Sequence, residues 1–195
     1  MRVNTLIIDN FLDDPDYIRS VALKSVFDLT GPFPGQRTDR CDDLYNNQVK
    51  NKLEKILNIK ITEWIDHIND NTNTKTDTSC FQLCLKDDNT WIHYDPNEYT
   101  GVLYLTPNAP VDSGTGIYRH KETGIYKHSK DCQVDDPYID SWEMITFSGN
   151  VYNRLVIFRG DLYHRSVVPG FGVDKYSGRL TQTFFFNTEE YKNGK

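Results

Sequence analysis

The strongest constraint on this chain is a succession of eight short apolar or alternating segments that fills its second half. From Cys80 onward the segments are "CFQLCLK", "TWIHYD", "TGVLYLT", "TGIYRH", "WEMITF", "NRLVIFRG", "LYHRSVV" and "GRLTQTFFFN", separated by stretches rich in Gly, Pro, Asn and Asp. Such spacing predicts antiparallel strands in a sandwich or jelly roll. Twelve tyrosines and ten phenylalanines suit that reading, because flat rings pack well on pleated surfaces.

The first half reads differently. "TLIIDNFL" (Thr5 to Leu12) is a short apolar run and predicts a strand. In "DDPDYIRSVALKSVFDL", Asp14 is placed to cap a helix with Pro15 at its first position, and Tyr17, Val21, Leu23 and Val26 follow at helical spacing. "GPFPGQRTD" breaks the pattern with two prolines and two glycines. A second helix is expected over about Asn47 to Ile59, then a turn or strand in "ITEWIDHIND" and a loop or hairpin tip in "NDNTNTKTDTS". The expected fold class is therefore α+β, mostly β: a double-stranded β-helix (jelly roll) with the N-terminal helices on the outer face of its larger sheet. One domain is expected over 1–195, divided into a support region (1–78), a jelly-roll core (79–187) and a tail (188–195). "KETGIYKHSKDCQVDDPYID" (Lys121 to Asp140) is the long loop, a class of segment that is often functional.

Composition excludes several classes. A net charge of -6 argues against a broad nucleic-acid-binding face. No apolar run approaches membrane-spanning length, and the opening "MRVNTLIIDNFLDD" is too briefly apolar for a signal peptide. Cys80 and Cys84 resemble half a zinc site, but no second pair at ligand spacing follows. Scattered cysteines fit reduced thiols in a cytoplasmic protein.

Within "WIHYDP", His93 and Asp95 stand two apart. Alone the pair is weak, and His120-Lys121-Glu122 offers a rival His-x-Glu. On a strand, however, residues i and i+2 share a face, so both side chains can reach one metal. His164 in "DLYHRSVVPG" is the candidate third ligand, and two histidines with one carboxylate form the facial triad of non-haem Fe(II) oxygenases. Were a 2-oxo acid to fill the open positions, its far carboxylate would need a cation, and Arg179 in "SGRLTQTFFF" supplies a planar fork with Thr181 on the same face.

Taken in order, "HYD", "GVLYLTPN", "SGTGIYRH", "NRLVIFRGDLYHRSVVP" and "GRLTQTFFF" resemble the Fe(II)/2-oxoglutarate-dependent dioxygenases, in particular their prolyl-hydroxylase-like branch. The resemblance covers about Cys80 to Asn187. It implies an oxygen-dependent hydroxylase that converts 2-oxoglutarate to succinate, with Fe(II) and 2-oxoglutarate as cofactor and co-substrate, O2 as oxidant, and a small-molecule or peptidyl substrate. His93, Asp95 and His164 would be the catalytic iron ligands. Arg179, Tyr104 and Thr181 would hold the distal carboxylate of 2-oxoglutarate, with Gln82 a further polar neighbour. Trp91, Tyr94, Tyr118 and Arg119 would form the substrate side, and Trp91, Leu103 and Ile157 would keep water out.

The sequence departs from the branch at "SGTG", where a Gly-Gly-Glu-like run is usual, and in the length of the 121–140 loop. Two other readings keep the jelly roll: a cupin-like metal enzyme without 2-oxoglutarate, and a binding module.

Overall fold

The computed structural model describes residues 4–65, 68–69, 74–75 and 78–189. Among them are two α-helices, α1 (Pro15–Lys24) and α2 (Asp43–Leu57), and thirteen strands. The strands are β1 (Thr5–Ile8), β2 (Leu29–Gly31), β3 (Phe33–Arg40), β4 (Ile61–Trp64), β5 (Ile68–Asn69), β6 (Thr74–Lys75), β7 (Cys80–Cys84), β8 (Tyr99–Tyr104), β9 (Thr115–His120), β10 (Trp142–Ser148), β11 (Leu155–Arg159), β12 (His164–Ser166) and β13 (Arg179–Thr188). The architecture is mostly β, with few helices and two main sheets. The larger sheet runs β1-β11-β8-β13-β7-β3-β2, with β4 paired to the far end of β13. The smaller sheet runs β10-β9-β12, and β5 pairs with β6 as a separate two-stranded sheet.

Alternation assigns the two faces of the larger sheet. On β13, Leu180, Phe184 and Phe186 are fully buried in one core with Leu103 of β8, Leu155 and Ile157 of β11, and Ile18, Ala22, Val49 and Leu53 of the helices. The intervening Arg179, Thr181, Thr183 and Phe185 face a cavity on the other side. Val156 and Phe158 of β11 pack on that inner side with Tyr104, Ile117 and Leu162. The helices therefore cover the outer face of the larger sheet, as expected.

Several expectations are corrected. Asp14 does cap α1, accepting from the Tyr17 amide at 2.9 Å, but Ile18 and Ala22 form its buried face while Tyr17 and Val26 are exposed. α2 begins at Asp43, four residues early, because the Asp42 carboxylate caps the Tyr45 amide at 2.9 Å and outranks the apolar spacing. "GPFPGQRTD" is no break: it forms most of the β2–β3 hairpin, with Gly35 at φ 69, and β3 extends the larger sheet beside β7. "ITEW" is strand β4. Within "NDNTNTKTDTS", residues 70–73 and 76–77 lie outside the described residues, and β6 falls between them, paired with β5. Of "TWIHYD", only His93 pairs, through an isolated bridge to His164. The Asp88 carboxylate turns the chain by accepting from the Leu85 amide at 2.7 Å, and Pro96 lacks a donor, so no ladder extends from either side.

Candidate metal centre

The bridge between His93 and His164 creates the site. Their backbones exchange two hydrogen bonds, of 3.0 and 2.8 Å, and their ring centres lie 4.4 Å apart. Asp95 is drawn in by its own amide, which donates to the Gly160 carbonyl at 2.8 Å. A side chain at position 160 would run into the Asn97 carbonyl, so glycine permits that approach.

One ligand atom from each of His93, Asp95 and His164 lies within 4.8 Å of the others. Asp95 Oδ1 is 3.9 Å from His93 Nε2, and its Oδ2 is 3.4 Å from His164 Nε2. Both imidazoles are tied at Nδ1 to backbone carbonyls, His93 to Trp91 at 3.0 Å and His164 to Leu162 at 2.7 Å. With a metal bound, protons on those nitrogens would leave both Nε2 atoms to ligate beside the Asp95 carboxylate, the arrangement expected of metal-ligating histidines. Thr100 Oγ1 donates to Asp95 Oδ2 at 2.6 Å and orients it. Burial pushes the Asp95 carboxyl pKa up, but the charge and hydrogen bond of His164 outweigh it and hold the group at about 2. Burial, reinforced by the neighbouring His164, pulls His93 down to about 4. At neutral pH the pair is thus a carboxylate and a neutral imidazole, and the donor set fits a divalent metal with open positions.

The triad opens into a cavity of about 640 Å³ between the two sheets. Arg179 and Thr181 line it, buried to 4% and 1% exposure. Among the described residues, Arg179 makes one hydrogen bond, from Nε to the Ser113 carbonyl at 3.1 Å, which leaves its terminal nitrogens for a ligand. Tyr104 is fully buried behind it, its ring centre 5.7 Å from the guanidinium carbon and its hydroxyl 2.7 Å from Thr115 Oγ1. Burial pushes the Tyr104 pKa up, against the pull of Arg179. Gln82 also lines the cavity.

A family model matches residues 2–186: DUF6445, a family of unknown function. The chain belongs to this family. No curated protein matches the sequence. Solved structures do match the fold. A prolyl-4-hydroxylase from Pseudomonas putida is 15% identical at a TM-score of 0.52, covering 94% of this chain and 91% of that one. HygX from Streptomyces hygroscopicus, solved with nickel, 2-oxoglutarate and hygromycin B bound, is 10% identical at a TM-score of 0.56, covering 94% and 82%. A prolyl hydroxylase from Trichoplax adhaerens, in complex with a hypoxia inducible factor peptide, is 14% identical at a TM-score of 0.50, covering 97% and 86%.

The structure distributes the remaining candidates of this DUF6445 chain unevenly. Trp91 and Tyr94 line the cavity, whereas Tyr118 and Arg119 do not. Tyr118 packs with Trp142 and Tyr163 on the smaller sheet, and Arg119 pairs with Glu143 at 2.7 Å in solvent. Leu103 and Ile157 are also off the cavity, because their register turns them toward the helices; Val102 and Phe158 take the apolar places facing it. His120 bonds Thr123 and Asp136 at 3.0 and 3.3 Å, so the rival His-x-Glu is a structural anchor. The 121–140 loop does not line the cavity but braces it, stacking His128 on Tyr94 at 3.5 Å. His67 lies outside the described residues.

Sequence reasoning missed Arg37, Thr100 and Gly160. Arg37 lay in a stretch read as a break, and the other two matter only through strand pairing. No helix among the described residues is long and apolar enough to cross a membrane.

Proposed function

We propose that this protein is a non-haem Fe(II)- and 2-oxoglutarate-dependent dioxygenase, built as a double-stranded β-helix, that hydroxylates a small-molecule or peptidyl substrate. The observation that carries the reading is one cavity lined by both a His-Asp-His triad, its imidazoles anchored at Nδ1, and a buried arginine with terminal nitrogens to spare. The solved structures that share the fold include HygX bound to 2-oxoglutarate with nickel, which supports the same chemistry here. The four cysteines carry no disulfide, in keeping with a cytoplasmic setting.

In this reading His93, Asp95 and His164 hold the metal on one side and leave the other open. Arg179 takes the distal carboxylate of 2-oxoglutarate by two parallel bonds, with the Thr181 hydroxyl beside it. The Ser113 carbonyl fixes the direction of the guanidinium, and the Tyr104 ring lies behind it. When bound, Fe(II) and 2-oxoglutarate would supply the activation of O2 coupled to decarboxylation, giving succinate, CO2 and one oxygen atom for a substrate C–H bond. Val102, Phe158 and Phe185 present apolar surface to the cavity and exclude water from it. A cupin-like enzyme without the oxo acid would leave buried Arg179 without a counter-charge, a costly arrangement.

The test is succinate release from 2-oxoglutarate by the purified, Fe(II)-loaded protein. Asp95→Ala should abolish it. Near-normal oxo-acid consumption by that variant would overturn the metal assignment.

A further inference from the structure

The rim of the cavity differs in chemistry from its depth. The charged members of the lining are the triad, Arg179, Arg37 and Arg165, and all of them are buried or half-buried. The lining residues that stand exposed are Thr30, Gly31, Pro32, Trp91, Tyr94 and Pro96, and none of them carries charge. The first three come from the β2–β3 hairpin, and the last three from the segment that bears His93 and Asp95. A ligand on its way to the triad therefore meets uncharged surface first.

Trp91 is the largest side chain of that rim and is 43% exposed. Its indole centre lies 6.1 Å from the centre of the His93 imidazole, and its carbonyl accepts from His93 Nδ1 at 3.0 Å. The residue is thus tied to a metal ligand. The other two tryptophans of the chain are anchored through Nε1, Trp64 on the Asn46 side chain and Trp142 on the Asp136 carbonyl, each at 3.1 Å. Among the described residues, the Trp91 Nε1–H has no acceptor and the Tyr94 hydroxyl has no partner. Tyr94 is 40% exposed and is held in place by His128, stacked flat on it at 3.5 Å. Two large rings at a cavity mouth, with polar ends unanchored and apolar faces in water, gain by being covered.

We propose that the substrate carries an uncharged aromatic ring, which lies against the Trp91 indole beside His93. The inference rests on the reading of the cavity given above and names the substrate class that reading leaves open. An aromatic ring makes offset or edge contacts with indole that add to the area it buries, and a saturated ring of the same size lacks them. A sugar would need several side-chain partners for its hydroxyls, and the rim offers only Thr30, Tyr94 and the Trp91 N–H. A charged group would find no counter-charge there. In the overall reaction a C–H bond on or next to the ring becomes C–OH with one oxygen atom of O2. The other oxygen atom enters succinate as 2-oxoglutarate loses CO2.

The experiment uses the full chain loaded with Ni(II) and saturating 2-oxoglutarate, and reads melting temperature against ligand concentration. The probes are indole, benzyl alcohol, benzamide and the N-acetyl amides of phenylalanine, tyrosine and tryptophan, each beside its ring-saturated counterpart. N-acetylproline amide and methyl glucoside stand for other rings. At least one aromatic probe should raise the melting temperature, and its saturated counterpart should bind at least about fivefold more weakly. Trp91→Leu should weaken the aromatic probe by at least about fivefold and keep the shift from 2-oxoglutarate alone. Trp91→Phe should restore most of the affinity, which a merely apolar role for the side chain would not require. A saturated ring, the proline amide or the glucoside as effective as the best aromatic probe would overturn the proposal. So would a panel in which no aromatic acts, or a Trp91→Leu variant that binds like the wild type. Failure of the underlying reading looks different: wild-type protein with Ni(II) would then show no response to 2-oxoglutarate at all.

Discussion

Asp95 depends on one hydroxyl and one glycine. Thr100 Oγ1 donates to its Oδ2, and Gly160 lets its backbone approach. Partners of this kind typically contribute 10- to 100-fold to metal affinity. Thr100→Val should therefore weaken Fe(II) or Ni(II) binding by about that factor in a chelator competition, and an unchanged affinity would contradict the account. The protonation of the site gives a second prediction. His93 is depressed to about 4 in the folded protein, below the usual 6.5 for the unfolded chain, so the unfolded chain binds the proton first as pH falls. The metal-free protein should lose stability as pH drops from 6.5 to 4, while above 6.5 this group contributes no slope. His93→Gln should flatten that part of a melting-temperature profile. The ligand types themselves were legible, because imidazole, carboxylate and guanidinium announce their chemistry. Thr100 and Gly160 were not, since a threonine and a glycine acquire their roles only when the strand bearing them meets its neighbour.

Element by element, strand β13 shows how alternation converts sequence into function. Phe184 and Phe185 are adjacent, yet Phe184 packs against Trp64 beneath the helices, 5.9 Å between ring centres, while Phe185 faces the cavity. Phe184→Ala should cost about 3–5 kcal/mol of stability, measured by denaturant unfolding, with ligand affinity intact in the folded fraction. At the other end of the fold, Asp14→Ala should remove the α1 cap and about 1 kcal/mol, again without changing turnover. The strands from β7 to β13 were readable from their spacing, with one exception. "TWIHYD" has strand composition but collapses to one bridge, because the turn at Asp88 and the imino nitrogen of Pro96 deny it a ladder. The reverse happened at "GPFPGQRTD", where turn-forming composition hid a strand held in place by its pairing with β7.

At the scale of the molecule, the larger sheet separates two tasks. Its helix-facing side carries the apolar core, and its other side faces the cavity, where Arg179 of β13 meets a triad supplied by the smaller sheet and the segment bridged to it. That division follows from helices first and short strands afterward, so the layering was visible before any coordinates. The course of the 121–140 loop was not, because its contacts are private: the Val134 amide donates to the Tyr163 hydroxyl at 2.9 Å, Trp142 donates to the Asp136 carbonyl at 3.1 Å, and His128 stacks on Tyr94. The measurement that bears most directly on the whole account is an anaerobic titration of the protein with Fe(II) and 2-oxoglutarate, followed by visible absorbance. The wild type should develop a weak charge-transfer band that Asp95→Ala lacks, and Arg179→Ala should need at least about tenfold more 2-oxoglutarate to reach it, the loss expected for a buried charge-assisted pair. A wild type without the band, or an Arg179→Ala variant that titrates like the wild type, would contradict the assignment of this cavity.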